Sequence, residues 1–140
     1  MKFMIIVKAT PDSEAGRFPP DAEAMFKSMG DYHEELAKAG VLLDASGLQP
    51  SSKGWRIRYD GEKRQVMDGP FTESKELIAG YTMIQVRSRA EALEWSRRFP
   101  NPVGNNQPAE IEVRQLYELE DFKDLAEPAT LDRFKQIGMD

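Results

Sequence analysis

Two apolar stripes at helical spacing, each enclosed between strand-like runs, restrict this chain to a narrow set of folds. In the first stripe Met25, Phe26, Met29, Tyr32, His33 and Leu36 recur between an opening at Pro20 or Asp21 and a stop at Gly40. Proline is tolerated in a first helical turn, acids favour that positive end, and glycine usually follows the last turn. In the second, Ala92, Trp95 and Phe99 form the buried side of a helix that Ser88 and Glu91 begin as a capping box and Pro100 ends. The enclosing runs are strand-like: Lys2 to Lys8, Val41 to Gln49 (broken near Ser46-Gly47), Gly80 to Val86, and Glu110 to Tyr117.

An extra hairpin interrupts this pattern. Trp55, Ile57 and Tyr59 alternate with Arg56, Arg58 and Asp60, and Asp60-Gly61 is a favoured hairpin dipeptide before the return through Arg64 to Met67. With the hairpin set aside, the order is β-α-β-β-α-β, an α+β chain of the split, ferredoxin-like kind. Pro11 to Pro20 reads as a loop, Glu73 to Leu77 as a short helical stretch, and Asp121 to Gly138 as one or two short helices. A sheet with both helices on one face leaves the other face open. The usual cover is a second copy of the same sheet, so a C2 homodimer is expected.

Composition narrows the function classes. The chain has 140 residues, 40% of them apolar and 31% charged, which suits one soluble globular domain. No apolar run approaches the ~20 residues that a membrane-spanning helix needs, and the five apolar residues between Lys2 and Lys8 are too few for a signal-peptide core. With no cysteines there are no disulfides, thiolate metal sites or cysteine nucleophiles. A cytoplasmic location is the default expectation. The net charge is −5, and from Glu118 to Asp140 seven acids against three bases supply −4 of it. The body is nearly neutral. Arg56, Arg58, Lys63 and Arg64 are too small a basic patch for a nucleic-acid partner. One histidine without cysteines is weak support for a metal, the glycines form no phosphate loop, and no cofactor is expected.

Asp68-Gly69-Pro70-Phe71 joins two turn-forming residues to a charge and an aromatic. Gly69 can adopt backbone conformations closed to other residues, Pro70 fixes φ, and Phe71 has a ring to bury. With Glu73, Lys75, Glu76, Gly80 and Tyr81 after it, the motif resembles the signature of DGPF-domain proteins in the YCII-related superfamily. Met1-Lys2-Phe3-Met4, Gly40-Val41-Leu42, Gly47-Leu48-Gln49-Pro50 and Glu91-Ala92-Leu93-Glu94-Trp95 extend the resemblance across residues 1–117. Residues 118–140 lie beyond it, as an acidic helical extension. The resemblance implies a dimeric α+β barrel. It implies accessory roles beside extracytoplasmic-function sigma factors in many members, and in a few enzymes a His-Asp pair acting on chlorinated or hydroxylated aromatics. That histidine lies early in the first helix, where this chain has Met29, with His33 one turn further on.

Two functional readings follow. The first is a homodimeric binding or regulatory module that takes a small molecule in its cleft or a protein partner. The second is a cofactor-free enzyme moving protons on a small cyclic or aromatic substrate, by isomerisation or elimination. For the second, His33 is the candidate general base and Asp68 the candidate carboxylate, because imidazole suits proton transfer near neutral pH. The bland readings are a partly buried helix histidine bonded to a carbonyl, and an Asp68 that accepts N–H groups within its own turn. Tyr81, Asp44, Lys75 and Glu76 are the candidate ligand-binding residues. Core packing is the bland reading of Tyr81, and a solvated helical turn that of Lys75 and Glu76. The catalytic reading requires His33 within reach of Asp44 or Asp68 in an open cleft.

Overall fold

The computed structural model describes residues 1–104 and 106–139. In chain order the elements are β1 (Lys2–Lys8), α1 (Pro11–Glu14), α2 (Ala22–Lys38), β2 (Leu42–Gly47), β3 (Trp55–Asp60), β4 (Lys63–Asp68), β5 (Ile78–Gln85), α3 (Arg89–Arg97), β6 (Ile111–Gln115) and α4 (Pro128–Gln136). Short 3₁₀ turns lie at Ser51–Lys53, Ser74–Glu76 and Leu119–Phe122.

Four strands form one antiparallel sheet in the order β2-β5-β1-β6, and β3 and β4 pair separately. That is the ferredoxin-like α+β arrangement with an inserted hairpin and a C-terminal helix. Alternation along the strands divides the sheet into two faces. Phe3 and Ile5 of β1 and Thr82 and Ile84 of β5 are buried, while Met4, Ile6, Tyr81 and Met83 between them are half-buried. The buried face packs on α2 and α3 in one core, where Ile5, Leu36 and Ile84 are wholly enclosed beside Tyr32, Val41 and Trp95. Tyr32 meets Trp95 and Phe99 edge-on, at ring separations of 6.3 and 5.2 Å.

Two local expectations change, and the inserted hairpin stands apart. The Pro11 to Pro20 loop begins with one helical turn, because Thr10 and Ser13 cap it reciprocally and a proline occupies its first position. Ser88 caps α3 by accepting the Glu91 N–H, but the Glu91 carboxylate reaches Arg87 N–H rather than closing the box on Ser88. The hairpin does not cover the sheet of its own chain: every residue of β3 is exposed, Trp55 at 63%. Among the described residues, no helix is long and apolar enough to cross a membrane.

Candidate functional site

A pocket of about 810 Å³ opens between the sheet, α2 and the segment that carries α1. The middle of the α2 stripe supplies Met25, Phe26 and Met29, the segment after α1 supplies Phe18, and the end of α3 supplies Phe99. A pocket of this size, apolar with a few convergent polar groups, has the dimensions of a small-molecule site. Phe18 and Phe26 pack against each other at the mouth with ring centroids 5.9 Å apart. Arg17 lies beside them, its Nε and Nη2 donating to Asp12 Oδ1 at 3.0 and 2.8 Å.

His33 is one of the polar groups of this pocket. Its Nδ1 is 2.7 Å from the Met29 carbonyl oxygen and its Nε2 is 2.8 Å from Thr82 Oγ1. A carbonyl can only accept, so Nδ1 carries a hydrogen and donates it. In the neutral ring Nε2 is then the acceptor, and the Thr82 hydroxyl donates to it. With its hydrogen committed, Thr82 Oγ1 offers lone pairs, and Thr82 also lines the pocket. In this state the pair has acceptor capacity and no free donor hydrogen. Proton uptake by His33 reverses this polarity, because Nε2–H then donates and frees the Thr82 hydrogen.

The other candidates do not gather around His33. Asp44 and Tyr81 lie together on the opposite face of the sheet, the Tyr81 hydroxyl donating to Asp44 Oδ2 at 3.0 Å. Accepting that bond while negatively charged, Asp44 pushes the Tyr81 hydroxyl pKa up. Tyr81 also borders the pocket. Asp68 ends β4, paired with Trp55 and exposed, with no hydrogen-bond or ion-pair partner for its carboxylate among the described residues. The expectation that it caps its own turn is therefore not met. Lys75 borders a shallower cavity of about 390 Å³ with Lys8 and Thr10, and Glu76 is exposed on the 3₁₀ turn. His33 thus has the carbonyl bond of its bland reading together with an open cleft, but its second partner is a hydroxyl rather than a carboxylate.

Thr82 and the Pro11–Phe18 segment escaped the sequence reading. Thr82 had a usable signal: in β5 it shares the buried register of Ile84, where a hydroxyl requires a partner. The Gly69 expectation also changes form. The Gly69–Pro70 peptide is cis, and among the positive-φ glycines Gly69 does not appear. Space is what requires glycine here, because a Cβ would stand 1.9 Å from the Ser51 carbonyl oxygen. Phe71 is half-buried, with the Arg56 guanidinium 3.8 Å above its ring.

Residues 1–120 match the YCII-related domain. An uncharacterised protein of Rhizobium meliloti (strain 1021) is 31% identical over 94 residues, which make up 67% of this chain and 74% of that protein. Among solved structures, the 5-chloro-2-hydroxyhydroquinone dehydrochlorinase of Burkholderia phenoliruptrix AC1100, in complex with 2,5-dihydroxybenzoquinone, is similar at 14% identity and a TM-score of 0.45, covering 84% of this chain and 95% of that one.

Proposed function

The chain belongs to the YCII-related family, and we propose that it binds a compact hydroxylated aromatic molecule in the pocket between its sheet and α2, as a homodimer. The observation that carries this reading is an apolar, methionine- and aromatic-walled cavity whose lining also holds the His33–Thr82 pair, with Nε2 and Oγ1 2.8 Å apart. Methionine and aromatic side chains suit flat rings of varied substitution. Such a ligand would place its ring against Met25, Met29 and Phe26 and donate its hydroxyl to Thr82.

The same pair favours one catalytic reading. As the ligand O–H hydrogen passes to Thr82 Oγ1, the Thr82 hydrogen passes to His33 Nε2. A ligand oxyanion and an imidazolium result, and Nδ1–H still donates to Met29. That is the first half of an isomerisation or elimination without a cofactor. Titration with 4-nitrophenol separates binding from ionisation. In protein carrying methyl-labelled methionine, the Met25 and Met29 resonances should move while those of Met67 and Met139 stay. On the catalytic reading the bound phenol also shows phenolate absorbance at a pH where the free phenol does not, and Thr82→Val abolishes this. Uniform or absent methionine shifts would remove the pocket from the proposal; shifts without phenolate would leave a binding module.

The homodimer reading is supported by the face opposite α2 and α3, where Met4, Ile6 and Met83 are only half-buried, whereas Phe3, Ile5 and Ile84 on the other face are buried. We assign residues 118–140 to an appendage of the 1–117 domain that contributes to this assembly. Leu125 and Ile137 there are 83% and 72% exposed. Light scattering should give twice the 15.9 kDa of one chain. Met83→Glu, which places a charge on the covered face, should release monomers, and removal of residues 118–140 should weaken the dimer. A monomeric parent protein at ~10 μM, far above the dissociation constants expected of specific interfaces, would refute the dimer.

A further inference from the structure

We infer that Glu14 and Ser51 are positioning residues for the pocket, and that the turn at Asp68–Phe71 acts on the pocket through them. The inference rests on the pocket being a ligand site. α1 and the residues after it form the pocket mouth, contributing Asp12, Ser13, Gly16, Arg17 and Phe18. One helical turn is far too short to persist by itself, and this one buries no residue. Among the described residues, the hydrogen bonds that leave Thr10–Arg17 are the two accepted by the Glu14 carboxylate. Oε2 takes the Ser51 N–H at 3.0 Å, and Oε1 takes the Ser51 hydroxyl hydrogen.

Ser51 is in turn held by the motif turn. Its Oγ accepts the Phe71 N–H at 3.0 Å, while the Gly69 N–H donates to the Gly54 carbonyl at 3.0 Å. The Ser51 carbonyl lies where only a residue without a Cβ allows it. Pro50, beside Ser51, approaches Gly16 of the mouth, 3.8 Å from where a Cβ would be. Three segments far apart in sequence thus meet at one serine. The hydroxyl of Ser51 donates to the mouth and accepts from the turn, so removing it cuts the link to the turn and one of the two links to the mouth, leaving the backbone N–H on Glu14. A mouth segment released from Ser51 takes Phe18 and Arg17 out of register with Phe26 across the opening.

Hydrogen exchange and 4-nitrophenol binding on Glu14→Ala, Ser51→Ala and the double variant test this. Exchange at the Ala15, Gly16 and Arg17 amides should rise about tenfold or more, the scale of losing one charge-assisted hydrogen bond. Protection in β1 and β5 should stay as in the parent, showing that the fold is intact. The 4-nitrophenol dissociation constant should weaken by a similar factor, through faster release. At the mouth the double variant should be no worse than Glu14→Ala, because that single change already removes both bonds to Ser51. Unchanged exchange at Ala15–Arg17, additive effects, or binding that ignores a loosened mouth would each overturn the inference. If 4-nitrophenol does not bind the parent protein, the pocket reading fails, while the exchange arm still reports whether Ser51 ties the turn to the mouth.

Discussion

Replacing Gly69 with alanine is expected to destabilise the protein by on the order of 3–5 kcal/mol and to concentrate the damage in the hairpin. The added Cβ would meet the Ser51 carbonyl oxygen at 1.9 Å and its carbon at 2.7 Å, so backbone must move. Overpacking of this kind costs about 1–3 kcal/mol where neighbours can yield. Ser51 yields poorly, because Glu14 holds both its N–H and its hydroxyl. Retreat would also break the Phe71–Ser51 and Gly69–Gly54 hydrogen bonds, each contributing about 1 kcal/mol. Urea unfolding gives the magnitude, and hydrogen exchange across Trp55–Asp60 and Lys63–Asp68 gives the location. Gly30→Ala is the control of opposite sign. Gly30 is interior to α2 with nothing within 4 Å of the Cβ position, so alanine there should stabilise by about 0.5–1 kcal/mol. A Gly69→Ala protein as stable as the parent, with a protected hairpin, would show that the turn does not rest on Ser51.

The framework was legible in the sequence because its signals are local. Period-two alternation, helical stripes, the Asp60-Gly61 turn and proline or glycine at element ends each depend on a few neighbouring residues. Their order then leaves few topologies, and the sheet order β2-β5-β1-β6 is the one the split arrangement requires. The site was less legible because its contacts are not local. His33 and Thr82 are 49 positions apart and Glu14 and Ser51 are 37 apart, and no periodicity links either pair. His33 could be placed on the inner stripe of α2, but its partner depends on how β5 lies beneath that helix. Asp44 and Asp68 show the reverse error. Chemical type alone pairs them with His33, whereas strand parity and the hairpin insertion carry both away from it. The bulge between Leu42 and Asp44 is a register change that alternation alone would not reveal.

Tyr32 is expected to give the second large effect, one that changes with pH. It is 5% exposed, and its hydroxyl donates to the Trp95 carbonyl at 2.7 Å, joining α2 to α3. Truncation to alanine removes the ring that contacts Trp95, Phe99 and His33 and should cost about 3–5 kcal/mol. Phenylalanine keeps the ring and should cost about 1 kcal/mol, because the Trp95 carbonyl still accepts the Arg98 N–H. Burial, above all, pushes the Tyr32 hydroxyl up to about 12 from its ordinary 10.0; the Arg98 charge opposes this and the Glu35 charge adds to it. In the unfolded chain the proton leaves near 10, while the folded chain keeps it until near 12. Between those values the unfolded state binds fewer protons, so stability falls as pH rises. The contribution is complete below the lower value and lost above the upper one. At 1.36 kcal/mol per unit the fall is at most about 3 kcal/mol. Other groups titrate in that range, among them Tyr81 with its raised pKa, so the parent's alkaline slope is a composite. The difference between the parent and Tyr32→Phe isolates Tyr32: the two stability curves should converge as pH rises from 8 and then cross within the 10.0-to-12 window, because the parent loses more than the hydroxyl contributes at neutral pH. Parallel curves over that range would mean that Tyr32 ionises as readily in the fold as outside it, and that the α2–α3 contact is wetter than its burial indicates.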